Sequence, residues 1–272
     1  MKSSEKKYES IVNDCNAKSK YMWRLVHNQI QSQTNSICIP KKIIQFWNEE
    51  NAIPEDVFNC MKSWKRFEGK EIEYLLFNEI SARKYILQNY VLRYVDAYDR
   101  CIHPAMRADY FRLCYTFMEG GMYVDADDVC LVDNIEPLFC GNLLKVQALC
   151  YDTDKNEMVN ANMAFFEEYK SNRIYYVNNN PLIVRPKHPI LKCALERATR
   201  LLLDDSLEKK DIQSITGPGN LTDSFVWGTL QSNISHVDYE IFVDWEQTAI
   251  SKWPLEYRHD KRNWRNWDGS CM

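Results

Sequence analysis

The sequence predicts an α/β fold with a mostly parallel sheet flanked by helices. Short segments rich in β-branched and aromatic residues alternate with longer segments whose apolar residues recur at helical spacing. Hydrophobic residues make up 45% of the chain and charged residues 26%, an ordinary globular composition that excludes collagen-like, coiled-coil and wholly disordered proteins. Because strands that alternate with amphipathic helices usually pair in parallel, we expect helices on both faces of one sheet.

The 272 residues divide by composition into an appendage and one domain. Residues 1–37 are polar with loosely spaced apolar residues, and we predict a helical N-terminal appendage there. Residues 38–272 are predicted to form a single domain, since α/β units often reach this size. The first elements of the domain are expected to be strand 39–47, a helix opened by Pro54, strand 71–77 and helix 79–90.

A helix over residues 104–119 has the clearest periodicity. Four apolar residues fall at i, i+4, i+7 and i+11, namely Met106, Tyr110, Leu113 and Phe117. Pro104 marks its start and Gly120-Gly121 its end. The elements expected beyond it are strand 122–128, strands 173–177 and 182–184, helix 189–203, and a tail from residue 245 that shows no period and is interpreted as a functional loop.

The charge balance excludes one large class of function. Lys and Arg total 34 against 38 Asp and Glu, which gives a net charge of -4 at pH 7. Dedicated nucleic-acid-binding proteins usually carry a strongly basic face, so we expect no nucleic-acid partner.

Several features predict a cytoplasmic protein without a transmembrane segment. No apolar run approaches the ~18–20 residues that cross a bilayer, and residues 1–20 lack the apolar centre of a secretory signal. The ten cysteines are scattered without a CxxC pair, as is typical of reduced, buried cysteines. Trp253, Trp264 and Trp267 lie among basic residues of the tail, which favours peripheral contact with the inner face of a membrane.

The candidate site lies between residues 104 and 128. At about 100° per residue, Asp109 and Arg112 share one flank of the predicted helix. Tyr123, Asp125 and Asp127 share one side of the predicted strand that follows, because side chains alternate along a strand. Paired carboxylates at the carboxyl end of a buried strand lie where α/β sheets bind ligands, and they suit Mn²⁺ or Mg²⁺ that also holds substrate phosphates.

A second Asp-x-Asp triplet provides a contrast. Asp152-Thr153-Asp154 lies in a polar run without an evident strand before it, so we predict a turn there. Asp125-Ala126-Asp127 instead follows a helix, two glycines and an apolar strand. A functional metal site is therefore predicted only at the triplet that begins with Asp125.

The block 107–128 resembles the signature of DxD glycosyltransferases in glycosyltransferase family 32, which includes Golgi mannosyltransferases and bacterial capsule enzymes. The large clostridial glucosylating toxins carry a similar block. The resemblance extends to segment 39–47, Ser63-Trp64, His188-Pro189 and segment 216–222, and so spans roughly residues 39–267. It implies a GT-A fold, a UDP- or GDP-sugar donor, a divalent cation, usually Mn²⁺, and retention of anomeric configuration. A glycan, lipid-linked or protein acceptor is implied as well, as is a role of the polysaccharide-biosynthesis type.

The resemblance also implies roles for residues of the block. Trp47 matches the residue that stacks on the donor base, and Asp109 and Arg112 match contacts to the donor sugar and ribose. Tyr123 is expected beside the donor. Asp125 is expected to reach ribose or sugar hydroxyls. Asp125, Asp127 and Arg112 together form the predicted catalytic group.

Metal ligation is implied for Asp127, the third member of that catalytic group, with Asp125 beside it. Near the end, where the family often has paired His followed by Ser-Trp, this chain has a different run that begins with His259-Asp260. His259 and Asp260 are candidates to complete the metal shell, and Lys261 and Arg262 to cap the phosphates.

Two alternatives remain open from the sequence. A haloacid-dehalogenase-type phosphatase also opens an Asp-x-Asp at a strand end, although the later Gly-Asp pair of such enzymes is absent here. A glycosyltransferase-like module that binds sugars or nucleotides without turnover is the other. For a retaining transferase the sequence identifies no nucleophile, so we hypothesise a front-face route in which the donor phosphate accepts the acceptor's proton.

Overall fold

A computed structural model describes residues 14–29, 39–69, 71–141, 144–207, 211–231 and 238–267. The main sheet has seven strands: β1 (Lys42–Phe46), β2 (Glu73–Phe77), β3 (Gly121–Tyr123), β5 (Leu144–Asp152), β6 (Glu157–Val159), β7 (Arg173–Val184) and β8 (Tyr239–Phe242). A separate two-stranded sheet pairs β4 (Asp128–Cys130) with β9 (Ala249–Ser251).

The main sheet follows the order β2-β1-β3-β7-β5-β6, with β8 also beside β5. β1 is parallel to β2 and β3, and β5 is parallel to β8. β7 is antiparallel to both β3 and β5, and β6 is antiparallel to β5. Five of the seven described strands therefore run in one direction. The predicted α/β class with a mostly parallel sheet is confirmed, and β6 and β7 are its reversed strands.

Helices cover the sheet, in the order α1 (Cys15–His27), α2 (Glu55–Lys65), α3 (Glu79–Asn89), α4 (Leu92–Asp99), α5 (Pro104–Glu119), α6 (Ala161–Phe166), α7 (Pro189–Leu203), α8 (Ile212–Ile215) and α9 (Pro218–Gln231). The cross-strand row Ile44, Tyr123 and Leu182 packs into the larger core, formed with α5 and α7. The adjacent row of Ile43, Met122 and Ile183 packs against Trp64 of α2 on the other face. Alternate residues of each central strand thus serve two cores.

Helix α5 begins and ends where its sequence predicts, and Gly120 explains the end. Gly120 has φ +70°, and a Cβ there would lie 2.8 Å from the carbonyl oxygen of Val184. Only glycine adopts this conformation without strain, so the chain can turn directly from α5 into β3.

The strand predicted over residues 122–128 is shorter in the structure. β3 ends at Tyr123, and a turn follows in which the Asp128 amide donates to the Asp125 carbonyl at 3.2 Å. The chain then leaves the main sheet, because β4 pairs with β9 instead. The Asp-x-Asp triplet therefore lies on a turn between two sheets, and period-two alternation does not govern its side chains.

The two strands predicted at 173–177 and 182–184 are one strand, β7, with an irregularity between them. Val177 pairs with Ala148 and Leu182 with Val146, so residues 178–181 bulge out opposite Gln147 alone. Bulges of this kind re-aim side chains and are common beside active sites.

The second Asp-x-Asp triplet forms the predicted turn. The Asp152 carboxylate accepts from the amides of Asp154 and Lys155, both at 3.1 Å. A strand does precede it, since β5 ends at Asp152. The predicted turn is confirmed, whereas the expected absence of a strand before it is wrong, and both triplets therefore lie at turns that follow strands.

Part of the predicted appendage is described. Helix α1 lies against β7, and its Met22 is fully buried in the larger core. Residues 1–13 and 30–37 lie outside the described residues, and the division into residues 1–37 and 38–272 stays a prediction. Of the helices described, none combines the length and the apolar character needed to cross a membrane. The eight described cysteines are free, and five of them are buried.

Candidate active site

A cavity of about 860 Å³ opens at the carboxyl ends of β1 and β3. Its lining includes the residues predicted to contact the donor or the cation in the first half of the chain, namely Trp47, Asp109, Arg112, Tyr123, Asp125 and Asp127. They come from the end of β1, the inner flank of α5 and the turn after β3. Parallel β1 and β3 bring these elements to one edge of the sheet, as expected for ligand sites of α/β sheets.

Arg112 joins the two acids nearest to it. Its Nη2 lies 3.0 Å from Oδ1 of Asp109 and 2.8 Å from Oδ1 of Asp125, and its side chain is only 4% exposed. The guanidinium carbon also lies 4.3 Å from the centre of the Tyr123 ring. The i, i+3 pair of Asp109 and Arg112 is therefore part of a buried bridge and is not a surface ion pair.

The β7 bulge supplies amide groups to the same acids. Asn179 donates its Nδ2 to Asp109 at 2.8 Å, and its carbonyl accepts from Arg112 at 2.8 Å. Asn180 donates its Nδ2 to Asp128 at 2.8 Å, and its Oδ1 accepts the Asp125 amide at 3.0 Å. These asparagines fix the positions of three acidic residues.

The bulge asparagines and Asp128 were not among the residues predicted from the sequence. Three successive asparagines, 178–180, inside an otherwise apolar strand are the signal that was available. Polar residues in a buried strand need partners, and such a run therefore indicates a site. Thr216 is a further contact, since its hydroxyl donates to Asp109 at 3.3 Å.

Asp127 is held by the tail. The Tyr257 hydroxyl donates to its Oδ2 at 2.5 Å, and Arg258 forms an ion pair with the same oxygen. Trp47 is half-buried, and its ring meets the Tyr257 ring edge-on at 5.3 Å. The tail therefore contacts the predicted acids, through Tyr257 and Arg258 and not through the residues expected to act, and its function stays a prediction.

Arg258 belongs to a stack of guanidinium and indole groups along the tail. Its guanidinium carbon lies 4.3 Å from the Trp253 ring centre, and that of Arg265 lies 4.9 Å from the same ring. Arg265 also lies 4.4 Å from the Trp264 ring. All four residues line the cavity, so its outer wall presents cations held by aromatic rings.

His259 and Asp260 lie outside the lining of the cavity, and both are exposed. Asp260 is paired with Arg262 at 2.7 Å, which lowers the pKa of Asp260 chiefly through hydrogen bonding from that arginine. Neither of these two predicted ligands is part of the cavity lining, whereas Arg262 is.

Burial and mutual repulsion raise the pKa values of three acids of the site. Loss of hydration, followed by the negative charges of Asp127 and Asp125, raises the pKa of Asp128 to about 7. Loss of hydration also raises the pKa of Asp125 to about 6, against the lowering effect of Arg112. Desolvation raises the pKa of Asp109 as well. Crowded carboxylates in a poorly hydrated place favour a cation.

The donor set fits a hard divalent cation. Among the described residues, no hydrogen bond uses Oδ2 of Asp125 or Oδ1 of Asp127, so each acid keeps one oxygen for a ligand. Within the described ranges, no three His, Cys, Asp or Glu side chains are grouped as a metal site. The two acids would therefore hold a cation together with oxygens of a substrate, the usual arrangement for Mg²⁺ on phosphates.

Comparisons with known proteins give this site a context. Residues 24–143 match the family described as "Glycosyltransferase sugar-binding region containing DXD motif". Over 105 residues the chain is 32% identical to inositol phosphoceramide mannosyltransferase 3 of Schizosaccharomyces pombe, and the match covers 39% of this chain and 29% of that protein. The solved structure of PaToxG glycosyltransferase superposes with a TM-score of 0.47 at 14% identity, covering 98% of this chain and 95% of that chain. Residues 24–143 are therefore similar to the sugar-binding region of DXD-motif glycosyltransferases, and Asp125-Ala126-Asp127 lies within the matched segment and lines the cavity.

Proposed function

We propose that this protein is a metal-dependent, retaining glycosyltransferase that moves a hexose from a UDP- or GDP-sugar to a hydroxyl of a glycan, lipid-linked or protein acceptor. The observation that carries the proposal is the convergence of Asp125, Asp127 and the Asp109–Arg112 bridge in one cavity. The family match supports a transferase over a phosphatase. The name of the S. pombe relative, a mannosyltransferase, supports a hexose as the sugar.

The donor is proposed to bind along the wall formed by Trp47, Asp109, Arg112 and Tyr123. Trp47 offers a half-buried ring at the end of β1 on which a base can stack. Arg112 and Asp109 present charged, buried groups with fixed orientation, which suits hydroxyls of a ribose or a sugar. The carboxylate of Asp125 is oriented by Arg112 on one oxygen and keeps the other for the donor or a cation.

We propose that Asp127 and Asp125 would hold Mn²⁺ or Mg²⁺, and we leave His259 and Asp260 out of this proposal because they do not line the cavity. Such a cation, when bound, neutralises the negative charge that develops on a departing nucleoside diphosphate. Arg258, Arg262 and Arg265 line the same cavity and are proposed to bind the diphosphate oxygens. These residues stabilise the leaving group by charge that is positioned before the reaction starts.

Retention is proposed to follow the front-face route, in which the acceptor hydroxyl attacks from the side of the leaving phosphate. The part of this chain in that route is to orient the donor through Arg112 and to limit water through the tail wall. Capture of a glycosyl–enzyme adduct would contradict it. A cytoplasmic location with peripheral membrane contact stays a prediction.

A screen of nucleotide-sugars for donor hydrolysis tests the function. The transferase is expected to release UDP or GDP slowly from one donor when Mn²⁺ is present and acceptor is absent. A binding module without turnover would release none while still binding the nucleotide. Hydrolysis of p-nitrophenyl phosphate with a trapped aspartyl phosphate would instead favour the phosphatase.

A further inference from the structure

The cavity continues onto an open face of the central sheet. Leu149 of β5 pairs with Tyr176 of β7, and Tyr151 pairs with both Ile174 of β7 and Met158 of β6. Directly paired residues project from the same face of a sheet, so these five side chains form one surface, here called the apolar face. Leu149, Met158 and Tyr176 also line the cavity that holds the Asp-x-Asp triplet.

Polarity changes along β7 with distance from the acids. Asn180 touches Asp125 and Asp128, and then Asn178 donates to Gln147 at 3.5 Å. Gln147 in turn donates to Glu246 at 2.9 Å. The apolar face begins at the next position of the same side, Tyr176. At ~3.3 Å per residue, a ligand that lies along β7 meets a polar row and then about 7–13 Å of apolar surface.

The outer part of the apolar face is exposed. Met158 is 51% exposed and Ile174 46%, while the alternate residues Tyr175 and Val177 are buried in the core behind it. The Tyr176 hydroxyl lies 3.6 Å from the Met158 sulfur, which keeps that side chain over the face. Contiguous exposed apolar side chains that rim a cavity are typical of a ligand groove.

We infer that the apolar face binds the hydrophobic portion of an amphipathic, glycolipid-like acceptor, whose hydroxyl lies at the polar row of Gln147 and Asn178. The inference rests on the proposed function and names the acceptor class. In the strand order, β1 and β3, which lead to Trp47 and Tyr123 of the proposed donor wall, lie on one side of β7, and β5 and β6 lie on the other. The acceptor is therefore inferred to approach from the β5–β7 side. A charged nucleotide gains nothing from an apolar surface, whereas an alkyl chain gains free energy with each methylene that it buries there.

Calorimetric titration of the full chain with n-alkyl β-D-glucosides, from methyl to octyl and below their micelle concentrations, tests this inference. Affinity is expected to rise by roughly two- to fourfold per methylene. The double variant Met158→Ser, Ile174→Ser is expected to lose this dependence on chain length. Because both side chains are exposed, thermal unfolding of the variant should stay close to that of the wild type.

Met163→Ser is the matched control, since Met163 is 62% exposed and lies on α6, away from the apolar face. It is expected to keep the wild-type dependence on chain length. Affinity that is independent of chain length in the wild type, or a dependence that survives in the double variant, would overturn the inference. Donor hydrolysis by the wild-type protein is measured separately and needs no acceptor, so a failure of the proposed function is distinguished from a failure of the apolar face to bind alkyl chains.

Discussion

Arg112 and Asp125 are 13 residues apart in the chain, and their side chains meet at 2.8 Å inside the cavity. The contact ties helix α5 to the turn that carries the Asp-x-Asp triplet. Since Asp109 and the Asn179 carbonyl share the same guanidinium, one side chain sets the geometry of the proposed donor wall and of the acidic turn.

Arg112→Lys is expected to destabilise the protein by roughly 1–3 kcal/mol and to lower donor hydrolysis at least about tenfold. Lysine keeps the charge, but its ammonium cannot reach Asp109, Asp125 and the Asn179 carbonyl in the planar arrangement of a guanidinium. Chemical denaturation measures the first effect and nucleotide release the second.

Arg83→Lys is the control for that variant. Arg83 pairs with Asp99 at 2.6 Å on the surface, where both side chains are more than 40% exposed. Such a pair contributes less than about 1 kcal/mol. Equal losses of stability in the two variants would contradict the buried bridge as the cause.

Asp127→Asn is expected to abolish the Mn²⁺-dependent stabilisation by UDP or GDP. In the wild type, nucleotide at a hundredfold excess over its dissociation constant should add about 2.7 kcal/mol to the free energy of unfolding, which a thermal melt detects as a rise of several degrees. The substituted amide keeps an oxygen for Tyr257 and Arg258 but loses the charge that holds a cation.

The second triplet provides a matched control for that substitution. Asp154→Asn alters the exposed second acid of an Asp-x-Asp triplet at a turn and should leave the stabilisation unchanged. Stabilisation that persists in Asp127→Asn, or that disappears equally in Asp154→Asn, would refute the cation site.

Asp128→Asn is expected to make stability less dependent on pH. The pKa of Asp128 is raised to about 7 in the folded protein, from an ordinary value near 4, so the folded state binds its proton more tightly than the unfolded state. The free energy of unfolding of the wild type therefore falls as pH rises from about 4 to about 7. The variant has no carboxyl group at position 128 and does not lose this stability. The difference in free energy of unfolding, variant minus wild type, should therefore increase by roughly 1–3 kcal/mol from about pH 4 to about pH 7.

Urea unfolding at pH 5, 6, 7 and 8 measures this difference. The asparagine introduced by Asp128→Asn can keep both contacts, since its oxygen can accept from Asn180 and its amide can donate to the Ser251 hydroxyl. A constant difference across the four pH values would show that Asp128 is not the titrating group.

Gly120→Ala is expected to lower the free energy of unfolding by about 1–3 kcal/mol. Residue 120 has φ +70° and ψ -162°, a conformation that only glycine occupies readily. The added Cβ would also meet Pro186 Cδ at 2.7 Å. Gly69→Ala is the comparison, since a Cβ there meets nothing within 4 Å. Similar thermal unfolding of both variants would contradict the steric argument.

The local sequence pattern was enough to predict the helices with a regular apolar stripe and clear end signals. Helix α7 spans Pro189–Leu203 and α5 ends before Gly120, both as expected, because helical period and end signals are local properties. The prediction of a strand over 122–128 was wrong beyond Tyr123, because the residue at which a strand ends depends on the strands that it pairs with.

The acids and Arg112 were predictable as a group, whereas their partners were not. Asn179 and Asn180 reach the acids through a bulge, and a bulge is defined by the neighbouring strand. Tyr257 and Arg258 reach Asp127 across about 130 residues of chain. Nothing local in the sequence encodes such a distant pairing, although the cluster of aromatic and basic residues pointed to the right segment.

Strand β7 carries the asparagines beside the acids and the apolar side chains beyond them on one continuous backbone. Adding or removing a single residue between Tyr176 and Asn178 would invert the orientation of every side chain on one side of the change. Substrate preference in relatives of this protein should therefore diverge by exchange of side chains at 158, 174 and 176 and not by altered strand length. Insertions are better tolerated in the exposed turn at 153–156, which leaves the catalytic geometry undisturbed.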